Sequence, residues 1–335
     1  LNALVIQLAG MVFLVALGSL IDYPAFRIPA AASLFIMASI FIAVIGAIGY
    51  WFTEWRMPIL ILFLILVNYI TAFEIFNYRN PAYGLNYNLA PAPYSYEHLQ
   101  SVFHSDQIAR DKAATVAILN RWRQRVGGRG GKPKMVILSV SGGGLKSATW
   151  AMQVVQRMDS LLAGRLLDQT VLITGASGGM MGMAYLRELY LQKQLGQPID
   201  LYHKRYLDNL SKDLLNSIAF TLVSNDLFLP WAKFETGGHV YRKDRGYMFE
   251  RQFNENTGYV LDKPLAAYAE PEREALIPML YVTPAIVNDG RRLIISPQGA
   301  TFMMTPPIGV ERLNAVEIDA VDFRWLLQEQ DADNL

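Results

Sequence analysis

A serine between glycines is the residue of this chain best placed for covalent chemistry. Ser177 lies in the stretch GASGG, residues 175–179, which follows the apolar, β-branched run 171–174 and opens a helical pattern. In a G-x-S-x-G turn the serine sits on a strained strand-to-helix elbow with its hydroxyl clear of the sheet. The helix N-terminus behind it favours a developing anion. A helix-capping serine is the competing interpretation. The elbow glycines are Gly175, Gly178 and Gly179.

Three consecutive glycines precede this turn by one helical interval, after a second apolar run at 135–140. They are Gly142, Gly143 and Gly144. Such a row exposes the backbone N–H groups that an oxyanion hole for acyl transfer needs. A phosphate cradle uses the same physics, but Leu145 stands between the glycines and Lys146, where a Walker A motif has none, and no G-x-G-x-x-G is completed. We therefore favour acyl transfer, with Lys146 facing solvent.

The paired motifs SGGGLKSA and GASGG resemble those of the patatin-like phospholipases. Their pattern is a G-G-G-x-[KR] oxyanion loop, a G-x-S-x-G elbow one helix later, and an aspartate in D-G-[GA]. The resemblance covers about residues 134–300 and implies a three-layer α/β/α hydrolase fold. It also implies Ser177 as nucleophile and the triple-glycine N–H groups as oxyanion donors. Ser147 departs from the pattern, because many members have glycine there.

The resemblance further implies a Ser-Asp dyad, for which the chain offers one weak candidate. Asp289 precedes Gly290, but Arg291 follows where the pattern has Gly or Ala. The surrounding NDGRRLIIS resembles the strand pair that precedes the acid in this family and is typical of a hairpin turn. We expect the acid itself beyond Leu335, in a longer parent chain.

A Ser-His-Asp triad is the alternative way to activate the serine. An α/β-hydrolase requires the chain order Ser, Asp, His. Only His203 and His239 follow Ser177, and Asp226 lies upstream of His239. Nothing in the sequence fixes their geometry, so the dyad is preferred.

Three long apolar runs predict a transmembrane region over residues 1–76. They cover about residues 3–20, 28–52 and 57–73. A run of about 20 apolar residues suffices to cross a bilayer as a helix, and the second run has no charge between Arg27 and Glu54. A signal peptide would explain at most the first run. We expect an integral, multi-pass membrane protein. Because the sequence begins with Leu1 in place of Met, we also expect it to start inside a longer chain.

Residues 77–133 are predicted to be a juxtamembrane connector with a basic helix at 106–126. Residues 134–335 are predicted to be the hydrolase domain, which we expect to be truncated at its C-terminus. The basic residues are Arg110, Lys112, Arg121, Arg123, Arg125, Arg129, Lys132 and Lys134. A solvated face and attraction to anionic headgroups of the cytoplasmic leaflet are equal interpretations of this cluster. The second would place the hydrolase domain in the cytoplasm.

The composition limits the partners. The 335 residues carry a formal net charge of +1 and include no cysteine, which excludes disulfides and thiolate metal sites. We expect no metal, organic cofactor or nucleic acid. The expected partners are the bilayer and a membrane lipid substrate, and the sequence leaves the oligomeric state open.

These observations predict a membrane-bound serine acyl hydrolase of the lipase or phospholipase type that acts on lipid esters. Two alternatives stay open. The unclear acid motivates a non-catalytic membrane scaffold or binding module with a degenerate patatin fold. An acyltransferase or thioesterase would use the same serine. The apolar, aromatic stretch 224–246 is either a lid over the site or ordinary core packing.

Overall fold

The computed structural model describes residues 2–71, 81–101, 105–127, 132–304 and 318–334. In chain order the helices are α1 (Asn2–Ser19), α2 (Ala30–Trp51), α3 (Arg56–Thr71), α4 (Tyr96–Ser101), α5 (Ser105–Gly127), α6 (Gly144–Leu161), α7 (Arg165–Gln169), α8 (Ser177–Gln194), α9 (Arg205–Leu210), α10 (Leu215–Val223), α11 (Asn225–Phe228), α12 (Arg245–Thr257), α13 (Ala269–Arg273) and α14 (Phe323–Leu326). The strands are β1 (Val136–Val140), β2 (Thr170–Gly175), β3 (Lys233–Thr236), β4 (His239–Arg242), β5 (Met279–Val282), β6 (Arg292–Ile294) and β7 (Ala320–Asp322).

The chain folds into two compact units. The helical unit comprises Leu1–Ala82 and Asp213–Glu255, and the α/β unit comprises Tyr83–Lys212 and Asn256–Leu335. This division differs from the boundaries expected at 76 and 133, because residues 213–255 pack with the N-terminal helices rather than with the sheet. We call these residues the inserted segment.

The core of the helical unit joins the N-terminal helices to the inserted segment. Its buried residues are Leu14, Leu17, Ile21, Ile40, Phe220 and Met248. Leu229 and Tyr241, from the stretch 224–246, are buried in this unit as well. These buried positions fit core packing, the second of the two interpretations of that stretch.

Two helical stretches among the described residues are long and apolar enough to cross a membrane. They are Ala30–Trp51, which is α2, and Thr53–Ile70, which contains most of α3. The first predicted span is a shorter apolar helix, Val5–Ser19, and it packs Leu14 and Leu17 against protein. The described part of the chain thus supports two candidate spans instead of three, and does not support the multi-pass region as predicted.

The α/β unit contains a parallel three-stranded sheet in the order β1-β2-β5. An antiparallel bridge between Val282 and Ile295 joins β5 to the residue after β6, and β6 pairs with β7 in parallel. The carboxyl ends of parallel neighbours share one edge, so the turns after β1 and β2 must lie side by side. This confirms the predicted α/β class, while the three-layer arrangement stays a prediction.

The predicted basic helix is α5, and it packs on the α/β unit through Ile118 and Trp122. Two of its arginines are used inside the unit. Arg121 donates to the carbonyl of Arg273, and Arg125 donates to the carbonyls of Leu276 and Asp168. Part of the basic run therefore satisfies backbone oxygens.

Candidate active site

Ser177 occupies a strained and solvent-exposed elbow. It is the first residue of α8, directly after β2, and its φ is +53°. A non-glycine residue in this region costs about 1–3 kcal/mol, and such strain concentrates at functional sites. The side chain is exposed, whereas Gly178 and Gly179 behind it are buried. A nucleophile elbow requires this geometry.

The elbow glycines are needed because backbone from the first turn fills the space of their missing side chains. A Cβ at Gly175 would overlap the carbonyl oxygen of Val140, the last residue of β1. A Cβ at Gly178 would overlap the carbonyl of Gly144, and one at Gly179 the carbonyl of Ser141. The two turns are therefore in direct backbone contact.

This contact brings the triple-glycine loop to the serine. A Cβ built on Gly142 would lie 3.2 Å from Ser177 Cβ and 3.8 Å from Ser177 Oγ. Gly143 and Gly144 have φ of +140° and +61°, which L residues rarely adopt. No hydrogen bond within the described residues uses the N–H groups of these three glycines as donors, and the loop is exposed. These donors remain available to a ligand beside the Ser177 hydroxyl.

Ser147 holds the loop in place. Its Oγ donates to the carbonyl oxygen of Ser141 at 2.6 Å, the same carbonyl that lies against Gly179. That carbonyl and the N–H of Gly142 belong to one planar, trans peptide and point in opposite directions. Fixing the oxygen therefore fixes the direction of the Gly142 N–H. The departure from the family pattern at this position has a structural role here.

Asp289 is engaged elsewhere. It lies in the predicted turn, where Ile286 N donates to Arg291 O at 2.7 Å. Tyr94 Oη donates to its carboxylate at 2.9 Å, Arg291 N donates at 3.0 Å, and the Arg291 guanidinium pairs with it. Slight burial opposes the effect, but these hydrogen bonds hold the pKa of Asp289 below its usual value. The described contacts do not bring it to Ser177, so its role as base stays a prediction.

Comparison with known proteins adds only a distant likeness. No family model and no curated protein matches the chain. A structure of human GIVD cytosolic phospholipase A2 in complex with methyl gamma-linolenyl fluorophosphonate aligns over 58% of this chain, with 17% identity and a TM-score of 0.35. A second structure of that enzyme, with the inhibitor and terbium chloride, has a TM-score of 0.32. This chain covers 28% of the length of those chains. Because the TM-scores are below 0.5, membership of the patatin-like family stays a prediction.

Two candidate members of the alternative triad have local partners of their own. Asp226 pairs with Arg245 at 3.5 Å. His203 Nδ1 accepts a hydrogen bond from the backbone N–H of Arg205 at 3.1 Å. Asp226 and His203 are thus engaged locally, and the triad stays an untested alternative.

A buried ion pair anchors the nucleophile helix, and the sequence did not reveal it. Arg187 of α8 pairs with Glu272, and its Nε donates to the carbonyl of Pro278 at 2.8 Å. Glu272 also accepts from the backbone N–H of Leu280 in β5 at 2.9 Å. Burial raises the pKa of Glu272 to about 7, against the opposing effect of Arg187. The one signal in the sequence was an arginine within an otherwise apolar helical face.

Lys146 is exposed in the first turn of α6, as predicted. It lines a shallow groove of about 380 Å³ together with Leu145, Trp150 and Ser211.

Among the described residues, no group of three His, Asp or Glu side chains is arranged to hold a metal ion.

Proposed function

We propose that this protein is a membrane-associated serine acyl hydrolase that cleaves lipid esters. One observation carries the proposal. An exposed serine, held at φ +53° on a strand-to-helix elbow, abuts a loop whose three successive N–H groups are unengaged within the described residues. A nucleophile beside preorganised donors is the arrangement that acyl transfer requires.

In the proposed reaction, Ser177 Oγ attacks the ester carbonyl carbon and its proton passes to a carboxylate base. The N–H groups of Gly142, Gly143 and Gly144 stabilise the oxyanion of the tetrahedral intermediate. Collapse expels the alcohol, which takes up a proton, and leaves an acyl-serine ester. Water then attacks this ester, releases the fatty acid and restores the serine.

Two features support a lipid substrate. The apolar side chains of α2 and α3 are exposed in large number, which a water-soluble surface does not tolerate. Both helices satisfy the length and composition of a membrane span. A serine tethered to a bilayer meets lipid esters at high effective concentration. We therefore propose integral membrane association, with the α/β unit acting from the cytoplasmic side and the basic α5 attracted to anionic headgroups.

A non-catalytic membrane scaffold is the second candidate function. It is favoured by the carboxylate of Asp289, which Tyr94 and Arg291 already occupy. A scaffold would keep the elbow geometry without turnover.

The decisive experiment uses the full chain in detergent micelles. A fluorescent alkyl fluorophosphonate, which phosphonylates activated serines, is applied alongside hydrolysis assays with a short-chain nitrophenyl ester and phospholipid vesicles. Ser177→Ala is compared with Ser160→Ala, an exposed serine on α6. We expect labelling and turnover to persist in Ser160→Ala, and hydrolysis to fall at least about 10⁴-fold in Ser177→Ala.

Each outcome discriminates between the candidates. Equal rates in wild type and Ser177→Ala would remove the nucleophile assignment. A folded wild-type chain with neither labelling nor turnover would favour the scaffold. Transfer of the acyl group to an added alcohol or thiol in preference to water would identify an acyltransferase, and preference for thioesters a thioesterase.

A further inference from the structure

We infer that the loop between α1 and α2 is clamped to the inserted segment on one face of the bilayer, so that α2 and α3 form a hairpin that turns on the opposite face. The inference rests on the membrane association proposed above and is independent of hydrolysis. Two groups of observations carry it, a polar cluster at one end of α2 and exposed aromatic residues at the other.

The first half of the clamp is Arg27, which is nearly buried, with 6% of its side chain exposed. Its Nη1 donates to Glu255 Oε2 at 2.8 Å and its Nη2 donates to Glu255 Oε1 at 3.0 Å, a bidentate pair. Nη1 also donates to Gln252 Oε1 at 2.9 Å. Bidentate arginine–carboxylate pairs add geometric specificity to their energy. Arg27 is thus fixed to α12.

The second half is Asp22, five residues earlier. Its carboxylate accepts from Arg251 at 2.7 Å and from Tyr247 Oη at 2.7 Å, and it pairs with Lys243. Partial burial would raise the pKa of Asp22, but the bonds from Lys243 and Tyr247 hold it below its usual value. Both charges of the α1–α2 loop are therefore committed to the inserted segment.

The clamp also marks where α2 begins. The N–H of Ala30, the first residue of α2, donates to Asn216 Oδ1 at 2.9 Å. A free helix N-terminus needs such a partner. Ion pairs and charged side chains are costly inside hydrocarbon, so this cluster belongs at the water-facing boundary of the bilayer.

Beyond the clamp, α2 has the dimensions of a span. Its 22 residues extend about 33 Å at 1.5 Å per residue, close to the roughly 30 Å of a hydrocarbon core. No charged residue lies between Arg27 and Glu54. One side of α2 packs against protein, since Ile40 is buried in the cluster that contains Phe220 and Met248. Large apolar side chains project from its other side, with Phe35 76% and Ile42 71% exposed.

The turn between α2 and α3 has the composition of a second membrane boundary. Tyr50, Trp51 and Trp55 are all exposed there, beside the charged Glu54 and Arg56. Tyrosine and tryptophan are enriched at both membrane–water interfaces. At the clamped end, Tyr23 and Phe26 are exposed as well. Aromatic residues thus lie at both ends of one uncharged helix of membrane length, which points to lipid as the occupant of the exposed side of α2.

The absence of cysteine from the chain makes a direct test simple. Single cysteines replace exposed residues, Ala25→Cys in the clamped loop, Glu235→Cys in the inserted segment and Thr53→Cys in the turn. Each variant of the full chain is placed in sealed membrane vesicles and exposed to a membrane-impermeant maleimide, before and after permeabilisation. Vesicles of both orientations are used, and the chain without cysteine is the blank.

We expect Ala25→Cys and Glu235→Cys to be labelled from the same side and Thr53→Cys from the other. Labelling of Thr53→Cys from the same side as Glu235→Cys would overturn the hairpin. Opposite sides for Ala25→Cys and Glu235→Cys would overturn the clamp. Recovery of the chain in the soluble fraction without detergent, as free chain or as copies joined through α2 and α3, would overturn the lipid occupant. None of these outcomes alters the fluorophosphonate result, so failure here and failure of the hydrolase proposal are distinguishable.

Discussion

The two units hold their functional loops in different ways. In the α/β unit the elbow and the oxyanion loop meet backbone to backbone, through glycines whose missing side chains leave room for a neighbouring carbonyl. In the helical unit the α1–α2 loop is held through charged side chains, Asp22 and Arg27 against the inserted segment. One contact is steric and neutral, and the other is electrostatic.

The difference fits the functions proposed above for the two loops. Catalytic donors have to be placed to within about 0.5 Å, and backbone packing achieves this without dependence on salt or pH. A loop at a membrane boundary needs only to stay in polar surroundings, and ion pairs suffice for that. Substitutions at the glycine contact should therefore change activity and stability strongly and locally. Changes in salt or pH should mainly weaken the ion pairs of Asp22 and Arg27.

Gly178→Ala should produce the largest effect. The added methyl group would overlap the carbonyl oxygen of Gly144, and overpacking against a backbone that cannot yield costs about 3 kcal/mol or more. Urea denaturation in detergent should show this loss together with loss of hydrolysis. Gly127→Ala is the matched control, because nothing lies within 4 Å of a Cβ there, and it should unfold like wild type. Normal stability of Gly178→Ala would show that the turns do not touch.

Gly142→Ala should separate catalysis from folding. Its methyl group would lie 3.2 Å from Ser177 Cβ, which displaces the loop by a few tenths of an ångström and fills the space of the substrate oxygen. We expect kcat/KM to fall about 10²-fold, as for loss of one oxyanion donor, with a change in unfolding free energy below about 1 kcal/mol. Unchanged turnover would contradict the oxyanion assignment.

Ser147→Ala should have a smaller, kinetic effect. It removes the bond that orients the Gly142 N–H, a contribution of about 1 kcal/mol, so kcat should fall about fivefold with KM unchanged. Thr149→Ala loses a comparable bond on the same helix, to the carbonyl of Leu145 at 2.9 Å, and should keep full kcat. Equal behaviour of the two variants would remove the positioning role of Ser147.

Glu255→Gln should produce the smallest effect, a pH-dependent loss of stability at the ion pair between Glu255 and Arg27. Hydrogen bonds from Arg27 hold the pKa of Glu255 below its usual value of 4.5, although burial opposes them. A carboxyl with a depressed folded-state pKa stabilises the fold above pH 4.5 and loses that contribution as the pH falls through the folded value. Wild type should unfold at a higher temperature than Glu255→Gln at pH 7, by the equivalent of about 1 kcal/mol or less. A difference that does not shrink as the pH is lowered from 7 through the acid range would contradict the electrostatic origin.

Local patterns were enough to predict the parallel strands and the two turns between strand and helix. The runs 135–140 and 171–174 became β1 and β2 because β-branched residues followed by glycines favour a buried strand and a tight turn. The shared edge of a parallel sheet then brings Ser177 to the triple-glycine loop. The number of apolar helices was less predictable, because apolar composition alone does not distinguish contact with lipid from contact with protein. The helix Val5–Ser19 packs Leu14 and Leu17 against protein.

The sequence by itself determined which chemical groups are present. They are a serine in a glycine-rich turn, a row of backbone N–H groups that can donate hydrogen bonds, and apolar helices without charge. Only the tertiary structure decided that Arg187 pairs with Glu272, that Ser147 orients a peptide, and that Asp22 and Arg27 bind a segment more than 200 residues away. Hydrophobic periodicity and turn-forming residues act over a few residues, so the local sequence is enough to predict the elements that they form. Pairing of polar groups across long loops depends on which elements the fold brings together, and no local pattern encodes it.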